Sequence, residues 1–244
     1  MSKKRLRIFA GPNGSGKTTL KTTLEEQKIF HFHEYLNADD ILKQITDTGR
    51  YPLLKDEIFE DLKHFAEHSS YGQSVKSYFL NGDIVCAQNC LFFEGSALNA
   101  YTVSLLVSYR CNVFIRTGVS FSFETVFSDE HKLDLIEEAK RNGFKVYLYA
   151  IATEQPEINR DRIENRVADG GHAVSYEKVL KRYPKSLSNI SKSINIVDEA
   201  YFWDNSSRDT RFIASYDASD LRMEIKVSKD VIPRWFDSFI IKKL

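Results

Sequence analysis

The sequence has few cysteines, no long apolar run and no excess of charge of one sign. Its three cysteines are Cys86, Cys90 and Cys111, an odd number without a histidine cluster at metal-binding spacing. The four-residue spacing of Cys86 and Cys90 would place them on one face of a helix. Free cysteines usually pack as small buried hydrophobic side chains, so we assign these three no chemistry.

The longest apolar run, residues 146–152, is far too short to cross a bilayer. Residues 1–4 lead directly into an apolar segment and lack the features of a signal peptide, which predicts a cytoplasmic protein. Lys plus Arg equals Asp plus Glu at 34 each, so no global basic field favours tight binding to nucleic acid. We therefore expect neither a membrane nor a nucleic acid as partner.

A length of 244 residues suits one large α/β domain, and we take residues 1–244 as a single domain. Alternating strands and helices with short connections predict a mostly parallel sheet with helices on both faces. Residues 51–117 are amphipathic and rich in aromatics, and we predict a helical insertion there. Strands are expected at 5–10, 34–37, 119–126, 145–152, 201–203, 211–216 and 221–227, and helices at 17–27, 41–45, 130–141, 156–167 and from about 175.

Residues 11–18 match the pattern G-x-x-x-x-G-K-[ST] at every fixed position, between a predicted strand and a predicted helix. Glycines let backbone N–H groups curl around phosphate oxygens, and the helix N-terminus adds partial positive charge. Lys17 is expected at the β- and γ-phosphates and the Thr18 hydroxyl at Mg²⁺. The predicted ATP-binding residues are Gly11, Pro12, Asn13, Gly14, Ser15, Gly16, Lys17, Thr18 and Thr19.

The P-loop identifies the nucleotide but not the reaction. The sequence contains neither an Asn-Lys-x-Asp segment for guanine nor the Leu-Ser-Gly-Gly-Gln signature of transport ATPases, which leaves small kinases as the simplest class. A kinase needs a carboxylate to orient and deprotonate the acceptor hydroxyl. Asp39, at the end of the second predicted strand, is our candidate, and Asp40 competes with it. The alternative is that either aspartate caps the helix beginning at Ile41.

Cationic groups that neutralise the transferring phosphoryl are expected on the helix of residues 156–167. Arg162 and Arg166 are four residues apart and so share a helix face with which they could close over ATP, and Arg160 lies nearby. The alternative is an ordinary solvated helix face. The following Gly170-Gly171-His172 segment has the composition of a hinge rather than of a metal site.

Several segments together resemble the zeta toxin family of P-loop kinases, in particular its relatives often described as predicted ABC-type ATPases. Their order and spacing match along the chain except at about 51–110. The resembling segments are 11–19 (GPNGSGKTT), 37–39 (NAD), 121–125 (FSFET), 142–144 (NGF), 166–167 (RV), 170–174 (GGHAV), 182–183 (RY) and 204–206 (DNS).

This resemblance implies a toxin kinase that phosphorylates the sugar 3′-hydroxyl of UDP-N-acetylglucosamine and is held in check by a separate antitoxin. It implies Asp39 as general base, Lys17 and Thr18 at the phosphates and Mg²⁺, and Arg162 or Arg166 at the triphosphate. It places Asn37, Ser122 and Glu124 with the acceptor. Zeta toxins carry an acidic residue, then a threonine and an arginine in the strand after the insertion, whereas this chain has Ser120, Ser122 and Glu124 in roughly those places, which leaves the acceptor open.

For Glu124 two other roles stay open, binding of Mg²⁺ and a salt bridge to a lid arginine, because a carboxylate in an apolar strand is costly to bury unpaired. Two other functions also stay open for the whole chain. One is a nucleotide-dependent ATPase or switch that acts through protein interaction by residues 51–117. The other is a kinase of RNA ends, against which the neutral net charge argues.

Overall fold

The computed structural model describes residues 3–29, 34–168 and 174–243. Its strands are β1 (Arg5–Ala10), β2 (Glu34–Leu36), β3 (Tyr51–Pro52), β4 (Ile84–Ala87), β5 (Cys90–Phe93), β6 (Phe121–Thr125), β7 (Lys145–Ala152), β8 (Glu199–Asp204), β9 (Arg211–Asp217) and β10 (Arg222–Ile225). Its α-helices are α1 (Lys17–Glu26), α2 (Ala38–Thr48), α3 (Phe59–His68), α4 (Gln73–Leu80), α5 (Ala100–Thr117), α6 (His131–Arg141), α7 (Pro156–Ala168), α8 (Tyr176–Ser193) and α9 (Arg234–Phe239). Contacts divide the chain into two compact units, one of residues up to Tyr35 and from Ser120 onward, the other Leu36–Val119.

The main sheet has seven strands in the order β10-β9-β8-β7-β1-β6-β2. β1 lies between β6 and β7 and is parallel to both, and β7 is parallel to β8. β9 and β10 then continue the sheet in antiparallel pairing. The prediction of a mostly parallel sheet flanked by helices is confirmed, and the P-loop strand β1 is an interior strand of that sheet, the fifth of the seven.

The core beside the P-loop is formed by apolar side chains from one face of β1 and β7 and from the helix α1. Phe9, Tyr149 and Ile151 point from β1 and β7 to the face on which Leu20 and Leu24 of α1 pack. The Phe9 and Tyr149 rings stack with centroids 5.0 Å apart. Burying a side chain as large as Phe stabilises the fold by roughly 1.5–3 kcal/mol. This core fixes α1 against the two strands that flank the phosphate-binding loop.

The unit of residues Leu36–Val119 contains β3, β4 and β5 as a separate three-stranded antiparallel sheet, in the order β3-β5-β4, besides helices α2 to α5. The segment predicted as a helical insertion, residues 51–117, therefore contains these three strands besides helices α3 to α5. β4 and β5 form a hairpin whose connecting residues, Gln88 and Asn89, have φ of 49° and 58°. Two-residue hairpin turns of type I′ need positive φ at both positions, and Gln-Asn lacks the glycine that usually indicates such a turn.

The cysteines differ from the expectation. Cys111 is buried, but Cys86 is exposed and Cys90 is partly exposed. Cys86 and Cys90 belong to the two strands of the hairpin rather than to one helix face. In the described part of the chain, no group of three or more His, Cys, Asp or Glu side chains is arranged to hold a metal ion. Among the same residues, no helix is long and apolar enough to cross a membrane.

A buried ion pair stabilises the second unit. Arg110 donates from Nε and Nη2 to the two carboxylate oxygens of Glu57, each at 2.7 Å, and Nη2 also donates to the Pro52 carbonyl. The Glu57 side chain is 0% exposed and that of Arg110 is 11% exposed. The guanidinium also lies over the Tyr51 ring, 4.4 Å from its centroid. Helix α5 is thereby tied to β3 and to the turn before α3.

We expect Arg110→Met to lower the free energy of unfolding by about 3–5 kcal/mol, because it leaves the Glu57 carboxylate buried without its cation. The double variant Glu57→Gln/Arg110→Met should regain much of this loss. Urea unfolding followed by circular dichroism measures both. Arg141→Met, which breaks an exposed pair with Glu138, is the control and should unfold near the wild-type urea concentration. An Arg110→Met midpoint equal to that of the control would contradict the proposed stabilisation.

Candidate active site

The P-loop follows β1 directly and its last residues begin α1. Gly14 and Gly16 have φ of 75° and 97°, in the left-handed region that favours glycine. A Cβ at Gly14 would lie 2.6 Å from the Asn159 carbonyl oxygen, and one at Gly16 would lie 2.4 Å from the Asn205 amide nitrogen. Both backbone angle and space therefore require glycine at these two positions, of which Gly16 is a fixed position of the sequence motif and Gly14 is not.

Lys17 is buried in the P-loop, at 7% exposure. Its Nζ donates to the carbonyl oxygens of Gly11 and Pro12, both at 3.0 Å. The ammonium group thus lies at the centre of the loop and holds its two ends together. The Lys17 Nζ also lies 4.0 Å from Oε1 of Glu124.

Glu124 lies at the end of β6, in register with Phe9 of β1. Its Oε2 accepts hydrogen bonds from the Thr18 hydroxyl and from the Tyr35 hydroxyl, both at 2.8 Å. The structure therefore brings Glu124 together with Thr18 and Lys17, the two P-loop residues that the sequence assigned to Mg²⁺ and phosphate. Of the three roles left open for Glu124, this arrangement favours the one at Mg²⁺, because P-loop enzymes hold that ion with the loop hydroxyl and a nearby carboxylate.

Tyr35 is a site residue that the sequence did not indicate. Besides its hydrogen bond to Glu124, its ring lies edge-on to Phe9 and beneath the Lys21 ammonium, 4.6 Å from the ring centroid. A tyrosine in a three-residue strand carries no motif, and its contact with Glu124 arises only because β2 joins the sheet beside β6.

Ser122 does not occupy the position expected of an acceptor-binding residue. It is fully buried in β6, and its hydroxyl has no hydrogen-bond partner within the described residues. A fully buried hydroxyl is not accessible to a dissolved acceptor, so the structure contradicts the assignment of Ser122 to the substrate. Its strand neighbour is Arg7 of β1.

Asn37, Asp39 and Asp40 lie at the start of α2. Asn37 is the N-cap, since its Oδ1 accepts from the Asp39 N–H at 3.0 Å. The helix begins at Ala38, so the alternative that an aspartate caps a helix beginning at Ile41 is wrong. Asp39 and Asp40 are both exposed in the first turn, where the helix dipole favours negative charge. The catalytic role of Asp39 and the acceptor role of Asn37 stay predictions.

The three arginines of α7 have different surroundings. Arg160 binds Asp161 with two hydrogen bonds of 2.8 and 3.0 Å, so much of its charge is already compensated. Arg162 is half-buried, and its Nη2 donates to the Ser207 carbonyl in the loop after β8. Its Nη1 is buried and finds no hydrogen-bond partner in the described part of the chain. Arg166 is exposed, and the hinge predicted at Gly170-Gly171-His172 lies outside the described residues.

Burial keeps two tyrosines, Tyr149 and Tyr183, in their protonated form. Burial raises the pKa of Tyr149, which stacks on Phe9. Burial also raises the pKa of Tyr183, whose hydroxyl donates to the Thr153 carbonyl at 2.5 Å. Both phenols stay protonated at physiological pH, so they hold structure and do not accept a proton from a substrate.

Comparisons with known proteins bear on the fold rather than on the activity. No protein-family model matches the chain. A protein of Haemophilus influenzae described as uncharacterized is 36% identical over 69 residues, which cover 28% of this chain and 49% of the relative. The match therefore spans about half the length of that relative.

Solved structures share the fold at low sequence identity. The AvrRxo1-ORF1:AvrRxo1-ORF2 complex with sulphate ions matches with a TM-score of 0.58 and 15% identity, covering 97% of this chain and 63% of the other. The same complex with ATP matches with a TM-score of 0.55 and 16% identity. The match covers 92% of this chain and 61% of the other. A chain of the PezAT chromosomal toxin–antitoxin system of Streptococcus pneumoniae matches with a TM-score of 0.53 and 12% identity. The match covers 99% of this chain and 80% of the other. This chain spans less than two thirds of the AvrRxo1 chains it matches, and similarity at these identities establishes the fold alone.

Proposed function

We propose that the chain is an ATP-dependent phosphotransferase of the zeta toxin type, which transfers the γ-phosphoryl group of MgATP to a hydroxyl of a small acceptor. The observation that carries the proposal is the contact of Thr18 and Lys17 with Glu124. At one end of the P-loop, Lys17 supplies a cation for the phosphates, and the Thr18 hydroxyl and the Glu124 carboxylate supply oxygen atoms for a Mg²⁺ site. ATP in a solved complex of the same fold is consistent with this nucleotide.

The residues present fit Mg²⁺, which prefers oxygen ligands and usually binds to one or two protein groups together with phosphates and water. The Thr18 hydroxyl would bind the ion, and Glu124, now hydrogen-bonded to that hydroxyl, would orient it. When bound, the ion neutralises charge on the β- and γ-phosphates. Tyr35 donates to the same carboxylate oxygen and fixes its direction.

Lys17 supports phosphate binding through an exchange of partners. Its ammonium now donates to the Gly11 and Pro12 carbonyls, and phosphate oxygens are stronger, charged acceptors. On binding, the ammonium can turn to the β- and γ-phosphates while remaining in the loop. In the proposal, Arg162 or Arg166 adds the second cation and Asp39 accepts the proton of the acceptor hydroxyl.

We propose a small hydroxylated acceptor, and UDP-N-acetylglucosamine is the first compound to test. We further propose a separate antitoxin as protein partner, since one of the chains sharing the fold comes from a toxin–antitoxin system. The function is tested by incubating the protein with MgATP and a metabolite extract, and then identifying by mass spectrometry any compound that has gained a phosphate. UDP-N-acetylglucosamine is then assayed alone. Release of ADP with no phosphorylated product in the extract would contradict the proposal and favour an ATPase or switch.

Glu124→Gln tests the proposed Mg²⁺ site. The variant keeps the size of the side chain and removes its charge, so we expect the affinity for Mg²⁺ in the presence of ATP to fall about 10–100-fold. Binding of ATP without Mg²⁺ should change little. Titration of Mg²⁺ against a fluorescent ATP analogue measures both. Glu130→Gln, which alters an exposed pair with Lys192, is the control, and an equal Mg²⁺ affinity in the two variants would remove Glu124 from the metal site.

A further inference from the structure

The loop after β8 touches the P-loop at a point that no nucleotide motif includes. Asn205 donates from Nδ2 to the Ser15 carbonyl at 2.8 Å, and its Oδ1 accepts from the Thr210 hydroxyl at 2.9 Å. Its backbone N–H donates to the Ala152 carbonyl, also at 2.8 Å. Both ends of the side-chain amide and the main chain are thus fixed, with the amide nitrogen directed at the P-loop.

The bond to Ser15 controls the direction of a phosphate-binding group. Ser15 C=O and Gly16 N–H belong to one planar trans peptide, in which the two groups point in opposite directions. Holding the carbonyl on Asn205 therefore directs the Gly16 N–H away from Asn205. In a P-loop such N–H groups form the concave nest for phosphate oxygens. The absence of a side chain at Gly16 gives the amide the space to approach.

Asp204, the residue before Asn205, links this loop to the C-terminal helix. It is buried, and its Oδ1 accepts from the Ser206 hydroxyl at 2.7 Å and from the Trp235 indole Nε1–H at 2.8 Å. Trp235 lies at the start of α9 and is 3% exposed, and its neighbour Phe236 packs edge-on against Phe202 of β8. A buried carboxylate with this set of donors has little freedom to move.

The same loop is attached to two further elements. The Ser206 hydroxyl accepts from the Glu154 N–H at 2.8 Å, and the Glu154 carboxylate accepts from the Arg234 N–H of α9 at 3.0 Å. Arg162, one of the proposed lid cations, donates to the Ser207 carbonyl. The loop of residues 204–210 thus joins the P-loop, α7 and α9.

We infer that Asn205 is a positioning residue for the triphosphate and that the C-terminal helix α9, through Trp235 and Asp204, holds Asn205 in place. This inference rests on the proposed ATP site and adds to it the C-terminal helix, whose Trp235 is 31 residues away from Asp204 along the chain. Asn205 acts on phosphate affinity through the Ser15–Gly16 peptide. Neither Asn205 nor Trp235 is required to touch the nucleotide.

The test measures affinity for ATP and for inorganic tripolyphosphate, which has the phosphates without the base. Loss of one neutral hydrogen bond costs about 1 kcal/mol, so Asn205→Ala should lower the affinity for both ligands by about 5- to 10-fold. Asn205→Asp should weaken them more, because it places a carboxylate against the Ser15 carbonyl. Trp235→Phe should weaken both about threefold. Asn112→Ala, which removes an asparagine amide bonded to the Ser108 carbonyl within α5, is the control and should bind both ligands as wild type does.

Melting temperatures of all variants separate a positioning role from general destabilisation, and binding is measured well below the lowest of them. Loss of ATP affinity with unchanged tripolyphosphate affinity would overturn the inference, because it would indicate a contact with the base. Wild-type affinity in Asn205→Ala would also overturn it while leaving the ATP site intact. A wild-type protein that binds neither ligand would overturn the ATP site itself. If Asn205→Ala does not fold, Trp235→Phe gives the same comparison.

Discussion

Lys17→Ala is expected to lower phosphoryl transfer by about three orders of magnitude, the upper range for removing one preorganised group that stabilises charge in a transition state. Two effects add. The variant removes the cation that would face the β- and γ-phosphates, and it leaves the negative charge of Glu124, now 4.0 Å from the ammonium, uncompensated beside a polyanion. ATP affinity should fall as well, because the loss acts on the bound triphosphate before transfer begins.

The measurement is acceptor-dependent ADP release at saturating Mg²⁺, with melting temperature recorded for the same samples. Lys192→Ala, which removes an exposed cation on α8 paired with Glu130, is the control and should keep wild-type turnover. A folded Lys17→Ala protein that transfers phosphate at the control rate would contradict a P-loop mechanism. Any toxicity of the wild-type protein in a host cell should disappear in the same variant.

The parts of the fold that could be predicted from the sequence are those set by neighbours in the chain. β7 has the predicted bounds of 145–152 because a continuous apolar run flanked by polar residues suits a strand buried on both faces. The P-loop and α1 are equally local, since the glycine spacing and the Lys-Thr pair fix the turn and the helix start together. Ser175 before α8 caps its helix, accepting from the Lys178 N–H.

The features that were missed depend on pairing between distant residues. The β4–β5 hairpin turns at Gln88 and Asn89, two residues that take a left-handed backbone without a glycine to indicate it. Helix α9 is six residues long, and its position follows from the burial of Trp235 and Phe236 rather than from periodicity. Short elements such as these gain their stability from tertiary packing, which a local pattern does not contain.

The site shows the same division. Lys17 and Thr18 are identified by motif, and Glu124 was selected because a carboxylate in an apolar strand needs a partner. Its actual partners, Thr18 and Tyr35, lie 106 and 89 residues away in the sequence. Local sequence patterns therefore could not decide among acceptor binding, Mg²⁺ binding and a salt bridge as its role. For Ser122 the family resemblance suggested a place beside the acceptor, and its complete burial argues against that place.

Asp39→Asn is the second substitution expected to have a large effect, a fall of about two to four orders of magnitude in turnover with ATP affinity nearly unchanged, as for loss of a positioned general base. The structure removes one competing explanation, because Asn37 caps α2 and the Asp39 carboxylate is not needed for that purpose. Its backbone N–H is held by the Asn37 side chain at 3.0 Å. The start of the helix is therefore fixed while the carboxylate remains exposed.

Asp40→Asn is the matched control, since it makes the same chemical change in the same helix turn. Successive residues of an α-helix point about 100° apart, from 3.6 residues per turn, so one proton-accepting geometry cannot serve both aspartates. Both variants lose one negative charge from the same end of α2, so a general electrostatic effect would lower the two turnover rates equally. If Asp39 is the general base, only the turnover rate of the Asp39→Asn variant should fall. Turnover at saturating ATP and acceptor, together with ATP affinity by titration, distinguishes these results, and a larger loss in Asp40→Asn would move the base by one residue.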